Sequence, residues 1–122
     1  DSYLSSFGEI SDASKRKDIY NMMDIFISTP IEDMGPQTLC EAMLCGSIPI
    51  SFSVGVALDV INPENGYLIK NHTSDELQKV IREHCIKNDD NKFKMSKNAE
   101  YSMNRFYDSK KADVVINELL NK

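Results

Sequence analysis

No apolar run in the 122 residues approaches the ~18 that would cross a bilayer, so no membrane-spanning segment is offered. No charged-then-apolar leader opens the sequence. Cysteine is sparse: the three residues Cys40, Cys45 and Cys85 are odd in number and have no C-x-x-C spacing. That argues against a disulfide framework or a zinc site and for reduced thiols in a cytoplasmic protein. Positive charge is short as well. Fourteen Lys and Arg face 19 Asp and Glu, giving a net charge of −5 and a pI of about 5.0. A nucleic-acid reader is usually basic, so no nucleic-acid partner is expected. The one basic run, Lys15-Arg16-Lys17, fits a solvated helix face. Repeats, low-complexity stretches and interdomain linkers are missing too. His72 and His84 lack a metal-ligand companion at i+4, so no metal is expected and both read as surface residues. Asn71-His72-Thr73 matches a glycosylation acceptor but has no secretory context.

What is present is ordinary for a globular chain: 41% hydrophobic and 27% charged residues. The length suits one domain, residues 1–122, with a modest core. Tyr3 to Ile10 reads as a short strand leading into a loop, and Ser11 to Ser14 as N-cap residues for a helix over Lys15 to Met23. Ile25 to Ser28 is an apolar run of the buried parallel-strand kind. A loop at 31–35 leads to Pro36, which suits the first position of a helix. That helix runs to about Cys45, with Gly46 just past its end. Pro49 to Phe52 and Tyr67 to Ile69 are further strands, separated by a Gly55 turn, a short helix and the turn Asn62 to Gly66. Thr73 and Glu76 form a capping box for a helix to about Ile86, with Leu77, Val80, Ile81 and Cys85 inward. After a polar break at Asn88 to Asn91, two helices are expected, about Lys92 to Phe106 and Lys110 to Leu120. The alternation predicts an α/β fold: a Rossmann-like parallel sheet with flanking helices and a helical C-terminal tail. The six Met read as core filler, and Tyr101, Phe106 and Tyr107 as contacts of the tail with the body or with another domain.

The richest stretch is Glu32 to Pro49. In parallel α/β sheets, ligands sit beyond the carboxyl ends of the strands, which is where residues 29–35 fall. Gly35 lets the backbone come close to a ligand. Free amides near Gln37 and Thr38 lie at the positive end of a helix and favour phosphate. Glu41, one turn further, can accept two hydrogen bonds from a ribose diol. Asp33 could meet the hydroxyls of a second sugar. Together these suit a nucleoside diphosphate carrying a sugar. Cys40 lies beside Glu41, but no basic partner is evident to make it a nucleophile.

The runs Asp24-Ile25-Phe26-Ile27, Glu32-Asp33-x-Gly35-Pro36, Glu41-Ala42-Met43-x-Cys45-Gly46-x-x-Pro49 and Gly55-x-Ala57-x-Asp59 follow one another in a known order. They resemble the carboxyl-terminal domain of GT-B retaining glycosyltransferases, the group 1 family called GT4, from Phe7 to about Ile86. The resemblance implies half of a GT-B fold that binds a nucleotide-sugar donor. Glu41 maps to the residue that binds the donor ribose, and Asp33 or Glu32 to the acid that contacts the transferred sugar. Gly35, Gln37 and Thr38 map to the amides that hold the diphosphate and leaving oxygen, an electrostatic stabilisation. Asp33 and Glu41 are therefore not the acid and nucleophile of a glycoside hydrolase. Gly55 maps near the nucleotide. Gly35-Pro36 resembles the subgroup of bacterial polysaccharide and lipopolysaccharide synthesis, with a glycan or lipid-linked acceptor.

The family's amino-terminal domain, which binds the acceptor, and its basic Arg/Lys pair have no counterpart in these residues. Asp1-Ser2-Tyr3-Leu4 reads as the start of a piece of a longer chain. The piece is expected to be inactive alone, while the longer protein could sit peripherally at a membrane. Exposed apolar surface on the tail could let copies associate. A helix N-terminus gives an anion up to ~2 kcal/mol, and a charge-assisted bond from Glu41 adds ~1.5–3 kcal/mol. That sum corresponds to a Kd on the order of millimolar. Two rival expectations stand beside the transferase: a nucleotide-sugar 2-epimerase of the same fold, and a non-catalytic α/β docking module.

Overall fold

The computed structural model describes residues 12–29 and 37–120. The expected strand at Tyr3 to Ile10, the loop at 31–35 and the Pro36 helix start lie outside the described residues. So do Glu32, Asp33 and Gly35. The elements run α1 (Ala13–Met22), β1 (Ile25–Ser28), α2 (Gln37–Leu44), β2 (Ile48–Phe52), α3 (Ala57–Val60), β3 (Tyr67–Ile69), α4 (Ser74–Cys85) and α5 (Asp89–Leu120).

Local chemistry sets the helix ends. Asp12 Oδ1 accepts the N–H groups of Ser14 at 2.8 Å and Lys15 at 3.3 Å, so α1 starts two residues before the expected position. The end of α2 is a Schellman motif: Gly46, at φ +84°, donates to Met43 O, and Ser47 donates to Ala42 O. Thr73 Oγ1 caps α4 by accepting Glu76 N–H at 3.3 Å. Lys92 Nζ donates to Cys85 O at 3.2 Å, occupying a carbonyl at the other end of that helix.

All three strands are parallel, in the order β1-β2-β3. Ile25 pairs with Ile48 and Ile50 with Tyr67. Period-two alternation then sends Ile50, Phe52 and Ile69 to one face and Phe26 and Leu68 to the other. The first face packs against Leu77, Val80 and Ile81 of α4. The second packs against Leu39, Cys40 and Met43 of α2, Ala57 and Val60 of α3, and Ala99 and Met103 of α5. The fold is therefore the expected α/β layering, a parallel sheet covered on both sides.

Pro49 sits in the central strand, paired opposite Phe26. Ile48 N–H donates to Asp24 O, toward β1, so the nitrogen of Pro49 faces the β3 side. β3 pairs only from Ile50 onward, and no donor is needed there. Gly66 passes Pro49 so closely that a Cβ would lie 2.6 Å from Pro49 O.

Four expectations are corrected. The tail is one helix of 32 residues, since nothing between Phe106 and Lys110 is Gly or Pro. It also starts inside the expected polar break, with Asn88 Oδ1 accepting Asn91 N–H at 2.8 Å. Cys85 is exposed, because the inward stripe 77, 80, 81 continues at 84 in helical phase. Met22, at 69% exposure, is not core filler, whereas Met43, Met95 and Met103 are buried. Phe106 and Tyr107 pack on the body, one of the two contacts expected of the tail aromatics, whereas Tyr101 stands exposed beside Arg105.

Candidate donor site at the carboxyl end of the sheet

The carboxyl ends of β1 and β2 deliver the chain to the start of α2 and to the turn before α3. Gln37 opens α2, Thr38 is exposed on its first turn, and Glu41 is half-buried one turn in. Leu39 and Cys40, which flank these residues, pack in one cluster with Val56 and Ala57, which follow Gly55. Both segments follow the carboxyl ends of adjacent strands and bury residues in this one cluster, together with Ala99 and Met103 of α5.

Gly55 adopts φ +55°, a left-handed conformation that a Cβ would strain. Val56 follows at φ −64°, ψ −23°. A left-handed residue before a right-handed one turns successive N–H groups to one side, a concavity suited to anions. The turn's own bonds run from Ala57 N–H to Val54 O and from Leu58 N–H to Gly55 O. Among the described residues, the N–H groups of Gly55 and Val56 have no acceptor.

Burial and charge work against a thiol nucleophile here. Burial pushes the Cys40 thiol up, and the Glu41 charge adds to that push, while a hydrogen bond with Tyr107 works against it. Burial likewise raises the Tyr107 phenol, with Cys40 and Glu41 adding to the rise. The pair stays protonated and neutral at ordinary pH. Among the described residues, no three His, Cys, Asp or Glu side chains gather to hold a metal ion.

Two histidines behave differently from a loose surface pair. His72 is exposed as expected, but its ring stacks on Phe52 at 4.8 Å and 8°, and its Nε2 lies 3.1 Å from Ser53 Oγ. Its signal in the sequence was its place just past β3, at the same sheet end as Gly55. His84 is buried, contrary to expectation. Its Nδ1 lies 2.9 Å from Tyr67 Oη, which also reaches Met95 Sδ at 3.6 Å. His84 falls four residues after Val80, the spacing that could have revealed it.

A cleft of about 580 Å3 opens at the opposite end of the sheet, between Ile25, Ile48, His84 and Lys92. Its Asp24 and Asp89 stand against Lys92, so no single ligand charge is favoured.

With this geometry in view, the family profile described as glycosyl transferases group 1 matches residues 6–102. The chain belongs to that family. No curated protein matches it. The matched span takes in every element from α1 to α4 and the first part of α5. A glycosyltransferase acts on a sugar donor and an acceptor, and the carboxyl end of this sheet is where such a fold offers ligand-facing loops. No described helix of this glycosyltransferase chain is long and apolar enough to cross a membrane.

Proposed function

We propose that this chain is the donor half of a retaining glycosyltransferase of the GT4 type, binding a nucleoside diphosphate sugar. The observation that carries the proposal is that two features both follow the carboxyl ends of adjacent strands: Glu41, one turn into α2, and the Gly55 turn, whose Gly55 and Val56 N–H groups have no acceptor among the described residues. Glu41 accepts the ribose hydroxyls. Amides at Gln37 and Thr38, with Gly35, take the diphosphate at the positive end of α2. Gly55 and Val56 add donors to the developing charge on the leaving group. Asp33 or Glu32 contacts the transferred sugar. No metal enters this scheme, because backbone dipoles supply the positive end. The acceptor, a glycan or lipid-linked saccharide, meets a second domain, so these 122 residues alone transfer no sugar. The longer enzyme works in the cytoplasm, with peripheral membrane contact where the acceptor is lipid-linked.

Backbone amide NMR of the chain with millimolar UDP, GDP and their sugars tests this. Shifts at Gln37, Thr38, Gly55 and Val56 are expected, with a Kd on the order of millimolar. Glu41→Ala should weaken the response about 10-fold or more, the loss of a charge-assisted bond. Silence at those amides with every nucleotide, in a chain with a dispersed spectrum, would overturn the donor reading.

A further inference from the structure

Phe52 ends β2, and Ser53 is the first residue beyond it. Ser53 N–H still donates to Ile69 O at 3.0 Å, the last rung of the ladder. Val54 N–H then folds back on Phe52 O at 2.9 Å, and the chain turns through Gly55. Past that rung, no strand among the described residues holds the turn in place. His72 arrives from the loop after β3 and supplies the missing restraint. Its ring lies parallel to Phe52, at 4.8 Å and 8°, and Phe52 itself is 8% exposed and anchored in the sheet. Its Nε2 reaches Ser53 Oγ at 3.1 Å. The loop behind His72 is itself tied down: Thr73 N–H donates to Asn71 O at 2.8 Å, and Thr73 caps α4.

We infer that His72 is a positioning residue, bolting the loop after β3 to the loop after β2 so that the Gly55 and Val56 amides are presented in a fixed direction. The inference rests on the donor-site reading of the Gly55 turn. Stacking fixes the plane of the imidazole, and the bond fixes the Ser53 hydroxyl two residues before Gly55. With the ring hydrogen on Nδ1, Nε2 accepts the Ser53 O–H; with it on Nε2, the ring donates to Ser53 Oγ, so the contact holds in either tautomer. His72 acts through Ser53 and need not touch the donor.

The test uses His72→Ala, His72→Gln and Ser53→Ala, exposed or half-buried changes outside the core. Without nucleotide, His72→Ala and Ser53→Ala should move the same Gly55 and Val56 amide signals, leaving Met43 and Met103 unmoved. The double variant should add little, as expected of partners in one contact. With whichever of UDP or GDP the unaltered chain binds at millimolar concentration, His72→Ala should weaken binding about 3- to 10-fold, the range of one lost net hydrogen bond. His72→Gln, which keeps a hydrogen-bonding group at that reach, should recover part of the loss. Unchanged Gly55 and Val56 signals in His72→Ala would overturn the inference, as would unchanged affinity in a variant whose signals move. Failure of the donor reading looks different: the unaltered chain itself would then ignore UDP, GDP and their sugars alike.

Discussion

His84 shows how one buried ring couples stability to pH. Its Nδ1 faces the Tyr67 hydroxyl across a T-shaped contact of 5.4 Å and 80°. Burial, then Lys92 and Lys87, hold its pKa below the ordinary value, while Asp24 pulls the other way. The native chain therefore binds this proton more weakly than the unfolded chain. As pH falls through about 6.5, the unfolded state takes up more protons, and stability drops. The His84 contribution is intact above that pH and is lost progressively toward the lowered native value. Urea unfolding at pH 8, 6.5 and 5.5 should show this decline, and His84→Gln should flatten it. An equal slope in the variant would place the effect on other groups. The helical stripe Leu77, Val80, Ile81 was readable in sequence, yet its next member was not. His84 is buried only because Tyr67 and Met95 lie 17 residues before and 11 after it in the chain and close over it in the fold.

Among the elements, α5 departs most from expectation. A helix of 32 residues is about 48 Å long. Ala99, Met103 and Phe106 on its inward side pack in one cluster with residues of α2 and α3, Met95 lies beside Tyr67 of β3, and its last residues, 117–120, are exposed. The sequence reading divided the tail into two helices, about Lys92 to Phe106 and Lys110 to Leu120. Neither Gly nor Pro lies between them, and the helix runs through Tyr107-Asp108-Ser109 unbroken. Ser109→Pro distinguishes the two arrangements. In a continuous helix, it removes a backbone donor and crowds the carbonyl of Arg105, at a local cost of ~3 kcal/mol or more. Far-UV circular dichroism should lose helical signal while the Met103 environment stays native. Unchanged ellipticity would favour two helices. The shorter elements were far more readable, because each carries its own punctuation: Asp12 and Thr73 as caps, Gly46 at a helix end, and the Asn62 to Gly66 turn.

At the scale of the molecule, the layering followed from period alone: three apolar strand runs alternating with helices have few other ways to bury both sheet faces. The candidate site was legible where it is local, as with Glu41 on the helix after β1. It was illegible where two loops meet, as with His72 on Ser53, since nothing in either segment names the other. The close passage of Gly66 over Pro49 is a contact of the same non-local kind. Gly66→Ala would drive a Cβ against backbone, and overpacking of that sort costs ~1–3 kcal/mol. Thermal unfolding should fall by several degrees, roughly 4–8 °C per kcal/mol for a domain near this size. An unshifted midpoint would mean that the strands part more easily than their spacing implies.

Pro49 carries one more consequence, for the folding chain rather than the finished one. Parallel strands can slip by two residues and keep every side chain on its proper face. If β3 slid two residues toward the start of β2, Leu68 would lie opposite Pro49, and the imino nitrogen turned toward β3 would have no hydrogen to give. A slide the other way would leave Tyr67 opposite Phe52 and little of the strand paired. Only the native alignment closes its ladder, so a single proline works as a proofreader during assembly.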